Sequence, residues 1–330
     1  MQNILSILIL LFFSITIGKT QTFAPASRYK GTNAIYKDSS IFIDWAKKAE
    51  LFRGYNNIEF PENGFTEYGT NIDAIGKSDG NPNVVSLGDG GSAILTFNSP
   101  ITNGKGYDFA VFENGFYKDD TSELAFLELA FVEVSTNGIE YIRFPSVSEL
   151  QTETQIGTFE NINARYIHNF AGKYTMFYGT PFDLNEIKNL TIETSVNLNE
   201  INYVKIIDVV GTINDEFANY ESKGNKVNDP FPTSFSSGGF DLDAVGVINN
   251  QTNTNSEIKI LVRPNPADEF ISIQTKINNI EKVEVLAIDG RLQILTNYKD
   301  NINIRNLQKG IYIIRIKGDG KSFLTKFIKN

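Results

Sequence analysis

Cysteine is absent from all 330 residues. That excludes disulfides, thiolate metal sites and a cysteine nucleophile, together with the acylated cysteine of a lipoprotein anchor. Histidine occurs once, at His168, so a multi-histidine zinc site cannot be assembled. A general-base role for His168 lacks the Gly-x-Ser-x-Gly elbow that would accompany it. Basic residues are also short: 30 lysines and arginines face 39 acidic residues, for a net charge of -9. A basic face for nucleic acid is therefore not expected, and no nucleic-acid partner is assigned. Only one long apolar run is present, and it sits at the start of the chain.

That run, ILSILILLFFSITIG (residues 4–18), is uncharged and is followed by Lys19 and polar residues. It is shorter than the roughly 20 residues of a comfortable membrane span. Position and length fit the apolar region of a secretory signal peptide over residues 1–20, although MQN supplies no basic side chain before it. An uncleaved membrane anchor is the alternative. Beyond it the chain reads as folded, since aromatic residues make up 12% and apolar residues 41%. NNQTNTNSE (residues 249–257) carries no large apolar residue and no strand or helix period, and residues 250–256 read as a linker. Charge changes sign across it. Residues 21–256 hold 16 basic and 31 acidic side chains, whereas residues 257–330 hold 13 and 8. The expected organisation is a domain over 21–249 and a second one over 257–330.

In the second domain short apolar segments recur about every ten residues: FISIQT, KVEVLAI, INIRNL, IYIIRIK and FLTKFIK. Turn signals at Asp289–Gly290 and Gly318–Gly320 separate them, which predicts a small antiparallel, immunoglobulin-like β-sandwich. RPNPA (Arg263–Ala267), IDGR (Ile288–Arg291), NLQKGIYIIRI (Asn306–Ile316) and KFIK (residues 326–329) follow one another in order. Together they resemble the type A C-terminal sorting domain of the type IX secretion system of Bacteroidetes. Arg263 departs from that pattern, which usually has an aromatic or other apolar residue there. The resemblance implies Pro264, Asn265, Pro266, Gly290, Arg291 and Gly310 as the sorting signal. It implies the type IX machinery and a sortase-like peptidase as partners, and a secreted or outer-surface location. A purely structural immunoglobulin-like repeat is the alternative.

The first domain is dominated by apolar segments, NVVSLG, SAILTF, YDFAVFE, LAFLELAFVEVS, EYIRFP, YVKIIDVVG and DAVGVIN, joined by glycine-, asparagine- and aspartate-rich loops. One helix is expected over SSIFIDWAKKAELFRGY, where Phe42, Trp45, Ala49 and Phe52 share a 3,4,3 spacing. Ser39 or Ser40 would cap it and Gly54 would stop it. No repeat and no strand–helix alternation is visible, so the predicted fold class is all-β, a single jelly-roll-like β-sandwich. VVSLGDGGSAILTF, GYDFAVFENGF, FVEVSTNGIEYIRFP, AGKYTMFYGTPFDL and GGFDLDAVGVIN are similar to a group of bacterial cell-surface proteins without an assigned activity. The hairpin VEVSTNGIEYIRF is also similar to discoidin-type and carbohydrate-binding jelly rolls.

Candidate chemistry rests on acidic residues. Glycines in GDGG (Gly88–Gly91) join two strands, open no helix and precede no Gly-Lys-Ser, which excludes a phosphate loop. Asp241 and Asp243 stand two apart before Val245 and Val247, and strand alternation puts all four on one face. Glu113 shares a face with Phe109 and Val111, Glu133 with Leu129 and Phe131, and Asp208 with Val204 and Ile206. Carboxylates on apolar faces need a cation, an ion pair or hydrogen-bond donors. Asp241, Asp243, Glu113 and Asp208 are therefore candidate Ca2+ ligands, with capping of loop N–H groups as the alternative. Phe116, Tyr117, Tyr178 and Phe231 are expected in loops, where aromatic rings could take a ligand. The leading expectation is a non-catalytic surface module recognising a glycan or other envelope or nutrient ligand. Alternatives are a structural or adhesive surface protein, or a glycan hydrolase using Glu113 with Glu133 or Asp243.

Overall fold

A computed structural model describes residues 23–80, 83–191, 193–250, 260–275, 277, 280–298, 301–318 and 321–330. The expected signal peptide and, apart from Asn250, the expected linker lie outside the described residues. Contacts divide the chain into two compact units, Met1–Gln251 and Thr252–Asn330.

The first unit opens with β1 (Ile35–Tyr36), β2 (Asp44–Trp45), β3 (Lys48–Phe52) and β4 (Val85–Ser86). The long β5 (Ser92–Ile101) follows, then β6 (Phe109–Glu113), β7 (Phe116–Tyr117), β8 (Leu124–Phe126) and β9 (Ala130–Ser135). The unit continues through β10 (Ile142–Arg143), β11 (Val147–Ser148), β12 (Ile162–Asn163), β13 (Ile167–His168) and β14 (Tyr178–Phe182). It closes with β15 (Ile201–Asp208) and β16 (Asp241–Val247). One main sheet has the order β1-β14-β6-β16-β2, with β4 also on β16, and the facing sheet has the order β10-β9-β15-β5-β3. Among the described residues every strand pairing within them is antiparallel. The result is the expected all-β sandwich.

Alternation along the strands fills the space between the sheets. Phe109 and Val111 of β6, Val245 and Val247 of β16 and Phe182 of β14 meet Val132 and Val134 of β9 and Val204 and Ile206 of β15. The opposite faces are covered as well. Ala110, Phe112 and Ala244 lie beneath Phe42 and Trp45, and Leu129 and Phe131 pack with Ile162, Ile167 and Phe170. Strands buried on both faces read as continuous apolar runs, which is why FAVF shows no polar alternation. Phe182 is fully buried and stacks on Phe109 at 5.3 Å. Phe182→Ala is expected to cost the first unit about 3–5 kcal/mol. In a calorimetric melt only the first unit's transition should move, because the two units are expected to unfold independently.

The helix expected over residues 39–54 is not formed. Ile43 and Ala46 donate N–H bonds to Val247 and Val245 at 2.8 and 3.0 Å, and Lys47 donates to Thr96 at 2.8 Å. The chain thus crosses from an edge of one main sheet to an edge of the other at Ala46–Lys47. A 3,4,3 spacing is helical and fits no single strand, but the stretch is split into two short strands whose backbone is claimed by two open sheet edges. Phe42 and Trp45 still pack inward, but Phe52 is left exposed. LAFLELAFVEVS also forms two strands, β8 and β9, instead of one.

The second unit contains β17 (Leu261–Arg263), β18 (Phe270–Gln274), β19 (Ile280–Ala287), β20 (Leu292–Thr296), β21 (Ile302–Asn303), β22 (Gly310–Gly318) and β23 (Lys321–Lys329). They form a three-stranded sheet, β17-β18-β21, and a four-stranded sheet, β20-β19-β22-β23. Ile271, Ile273, Val283, Val285, Ile314, Ile316 and Phe327 build its core.

Candidate functional site

Beside the main sandwich, β12, β8 and β7 form a small sheet in that order. Ala125 of β8 turns inward to the packed layer, so Leu124 and Phe126 turn outward. Phe116 lies opposite Phe126, and their rings stack at 5.1 Å. Phe159 continues the row at 6.5 Å from Phe126, and Phe235 stacks on Phe159 at 5.7 Å. Three of these rings are largely in solvent: Phe116 is 53% exposed, Phe159 72% and Phe235 45%. Phe159 also lines a groove of about 780 Å³ whose apolar floor includes Leu124, Ile156 and Ile162. Its polar wall carries Glu149, Glu153 and Glu160, with Lys118 as the basic group.

The four candidate ligand aromatics separate here. Phe116 and Tyr117 form strand β7 and not a loop, and Phe116 belongs to the exposed row. Tyr117 is occupied structurally, because its hydroxyl hydrogen-bonds Ser27 Oγ at 2.8 Å and the Arg28 guanidinium lies 3.7 Å over its ring. Tyr178 sits in strand β14, not in a loop, and packs on Tyr36 at 5.5 Å. Phe231 is only 3% exposed and donates its N–H to Ile156 O, so it supports the groove from within and cannot form a shelf. Phe126, Phe159 and Phe235 were not singled out from sequence. Phe159 and Phe235 could have been, as lone phenylalanines in polar, turn-rich stretches (GTFEN and TSFSS) where no apolar period claims them.

The acidic residues gather at one end of the sandwich. β16 carries a bulge at Asp243, since Leu242 lies opposite Glu113 while Ala244 lies opposite Phe112. One extra residue reverses the alternation. Leu242, not Asp243, therefore joins Val245 and Val247 in the core, which corrects the expectation that both aspartates share the valine face. Asp241 accepts a hydrogen bond from Ser86 Oγ, and Asp243 accepts one from Ser78 Oγ at 2.6 Å. Burial pushes each of these aspartates up to about 6. Glu113 accepts from Gly115 N at 2.7 Å. Asp208 accepts from Phe240 N at 2.7 Å and Gly90 N at 3.0 Å. The GDGG stretch is thus a turn wrapped onto Asp208.

Three further carboxyls, unpredicted, complete the cluster. Asp229 accepts from Leu129 N at 2.9 Å, and a Cβ on Gly211 (φ +78) would come within 1.9 Å of that carboxylate, so only glycine fits there. Asp89 accepts from Ile58 N at 2.8 Å and is pushed up to about 7 by burial. Glu128 is buried and raised by desolvation and by Asp241, Glu113 and Asp229 around it. Burial likewise raises Glu113, Asp208 and Asp229 well above the ordinary range. Among the described residues, no three acidic or histidine side chains converge as metal ligands. The four carboxylates named for Ca2+ meet backbone N–H and hydroxyl donors. Glu133 lies on the opposite face of β9 from Val132 and Val134 and pairs with Arg143 at 2.8 Å, so it does not face Glu113. His168 stacks on Phe23 at 5.1 Å, and burial lowers its pKa.

In the second unit the short motifs do structural work. Asn265 Oδ1 accepts from Ile328 N at 2.9 Å, and Ala267 donates to Ile328 O and accepts from Asn330 N. The Pro264–Asn265–Pro266 segment thereby fastens the end of β23. Gly290 turns the β19–β20 hairpin at φ +86, while Arg291 Nε donates to Asp289 at 2.7 Å. Gly310 opens β22, and Arg263 is exposed at the end of β17.

Residues 261–330 match the family described as the secretion system C-terminal sorting domain. The second unit is a type IX sorting domain. A sorting domain marks proteins that are secreted or attached to the outer cell surface, and that is where this protein goes. It also implies interaction with the type IX machinery. No curated protein matches the chain. Among solved structures the chain is similar to a Ruminococcus gnavus beta-glucuronidase, at 11% identity and a TM-score of 0.21 over 88% of this chain and 46% of that one. It is also similar to a biofilm associated protein BSP domain, at 11% identity and a TM-score of 0.20 over 87% and 52%. A Lactobacillus rhamnosus beta-glucuronidase follows, at 12% identity and 0.17 over 85% and 44%. The chain spans about half the length of these structures, and TM-scores this low carry no argument about fold or activity.

Proposed function

We propose that the unit ahead of the sorting domain is a non-catalytic binding module, displayed outside the cell, that takes a glycan on the Phe116–Phe126–Phe159–Phe235 row and in the adjoining groove. The exposed row carries this reading. Several large rings left in solvent side by side are costly unless something covers them, and sugar C–H faces pack on aromatic rings while their hydroxyls reach polar walls. Glu149, Glu153 and Glu160 disfavour polyanionic chains, so the ligand is a neutral or amine-bearing glycan. Placement of Glu133 away from Glu113 speaks against one of the two carboxylate pairs named for hydrolysis, Glu113 with Glu133.

A glycan array probed with the purified full chain should return hits that titrate calorimetrically. Phe159→Ala is expected to weaken binding at least tenfold, about 1.4 kcal/mol, with the melting temperature within about two degrees of wild type. Failure of every arrayed glycan to bind, or binding untouched by both Phe159→Ala and Phe116→Ala, would leave the structural or adhesive reading in its place.

A further inference from the structure

The sheet β20-β19-β22-β23 uses one face for the core of the sorting domain. Tyr312, Ile314 and Ile316 of β22 and Phe323 and Phe327 of β23 turn inward. Alternation then places Ile311, Ile313, Arg315 and Lys317, with Leu324, Lys326 and Ile328, on the other face. Strand register aligns Leu295, Glu284, Arg315 and Leu324 in one row across all four strands. Leu324 is 66% exposed and Leu295 58%, and Leu292, Ile311 and Ile328 are also exposed. Cations frame these aliphatic groups. Arg315, Lys282 and Lys317 approach the central Glu284 at 2.5, 3.2 and 3.8 Å, and Lys326 lies opposite Ile313. One buried carboxylate thus gathers three cationic side chains, each of which is still partly exposed.

We infer that this face is the docking surface of the sorting domain for a protein partner that presents a flat apolar patch bordered by carboxylates. Charge complementarity sets the sign, because four cations surround the aliphatic groups while Glu284 is already neutralised. Exposed leucines and isoleucines set around an arginine share the arginine enrichment of protein interfaces, and the cationic border supplies the charge for a complementary acidic partner. A membrane surface fits less well. Interfacial anchors are enriched in tryptophan and tyrosine, and among the described residues the strands carry no aromatic side chain on this face.

The test uses the full chain in its producing cells, with two double variants. Leu295→Asp with Leu324→Asp removes the apolar centre, and Lys317→Glu with Lys326→Glu reverses the border. Gln274→Asp, on the other sheet of the same domain, is the control. Each face variant should lower the amount outside the cell at least tenfold, while the control is delivered normally. The purified variants should retain the wild-type melting profile. Should the leucine pair fail to fold, Lys326→Glu alone, whose side chain is exposed, carries the test. Wild-type delivery of a folded face variant overturns the proposal. So does dimerisation of the purified wild type that the lysine pair abolishes, which would make a second copy the occupant. Cosedimentation of the wild type with phosphatidylglycerol vesicles, lost in the lysine pair, would assign the face to lipid instead.

Discussion

Removing residues 257–330 is expected to abolish delivery: the shortened protein should accumulate in the periplasm, folded, with almost none outside the cell. The sorting landmarks all lie in the removed part, from Pro264 to the strand ending at Lys329. The apolar residues of the first sandwich are contributed by residues before 251. The truncation therefore removes the address without opening that core, and the remaining protein should keep its own melting transition. Fractionation with an antibody against the first unit reads the result directly. Normal surface levels of the truncated protein would show that delivery does not depend on this domain.

Acidification from pH 8 to pH 5 is expected to stabilise the first unit, which is opposite to the behaviour of a protein held by ionised surface pairs. Asp241 and Asp243 titrate near 6 and Asp89 near 7 in the folded state, all raised by burial from an ordinary value near 3.8. Glu113, Glu128, Asp208 and Asp229 are raised in the same direction. Between the unfolded and folded pKa values the folded state holds more protons, so ∂ΔG/∂pH is negative and stability is lost as pH rises through about 6 to 7. Two groups act the other way. His168 and Lys173 are both lowered by burial, and each favours folding less once charged. Two bases do not balance seven acids. A gain on the order of a few kcal/mol, or about 5–10 °C in melting temperature, is expected between pH 8 and pH 5. Surface carboxyls such as Asp38, Asp119 and Glu123, lowered by their hydrogen bonds, begin to lose their contribution only below about pH 4. Glu128→Gln should raise stability at pH 8 and flatten the response. A melting temperature that falls steadily from pH 8 to pH 5 would contradict this account.

Much of the strand inventory was legible because buried strands leave compact apolar runs, as FAVFE and VKIID do. The sorting landmarks were legible for another reason. Gly290 meets a local backbone demand, a left-handed turn that a short motif can encode, whereas Asn265 clamps Ile328 from far along the chain and was legible only through the family resemblance. What failed was tertiary. Phe42, Trp45, Ala49 and Phe52 fit a helix until two sheet edges compete for the same backbone. The parity of β16 could not be read past Asp243, because a bulge leaves no mark in a pattern of alternating residues. Phe231 was expected in solvent because its neighbours are polar, yet its backbone is drawn in by Ile156. The exposed row joins residues from four separate stretches, and no single segment announces it.

The interior carboxyls also separate the protein's formula from the charge it shows to its surroundings. Composition sets an isoelectric point near 4.9, a value that treats every aspartate and glutamate as ordinary. Near that pH the folded chain keeps several protons that the unfolded chain has released, so it reaches electrical neutrality at a higher pH than its own denatured form. Folded and urea-unfolded molecules therefore migrate differently in the same field. In mildly acidic surroundings the protein loses its mutual repulsion sooner than its sequence implies, and copies of it outside the cell can sit closer together.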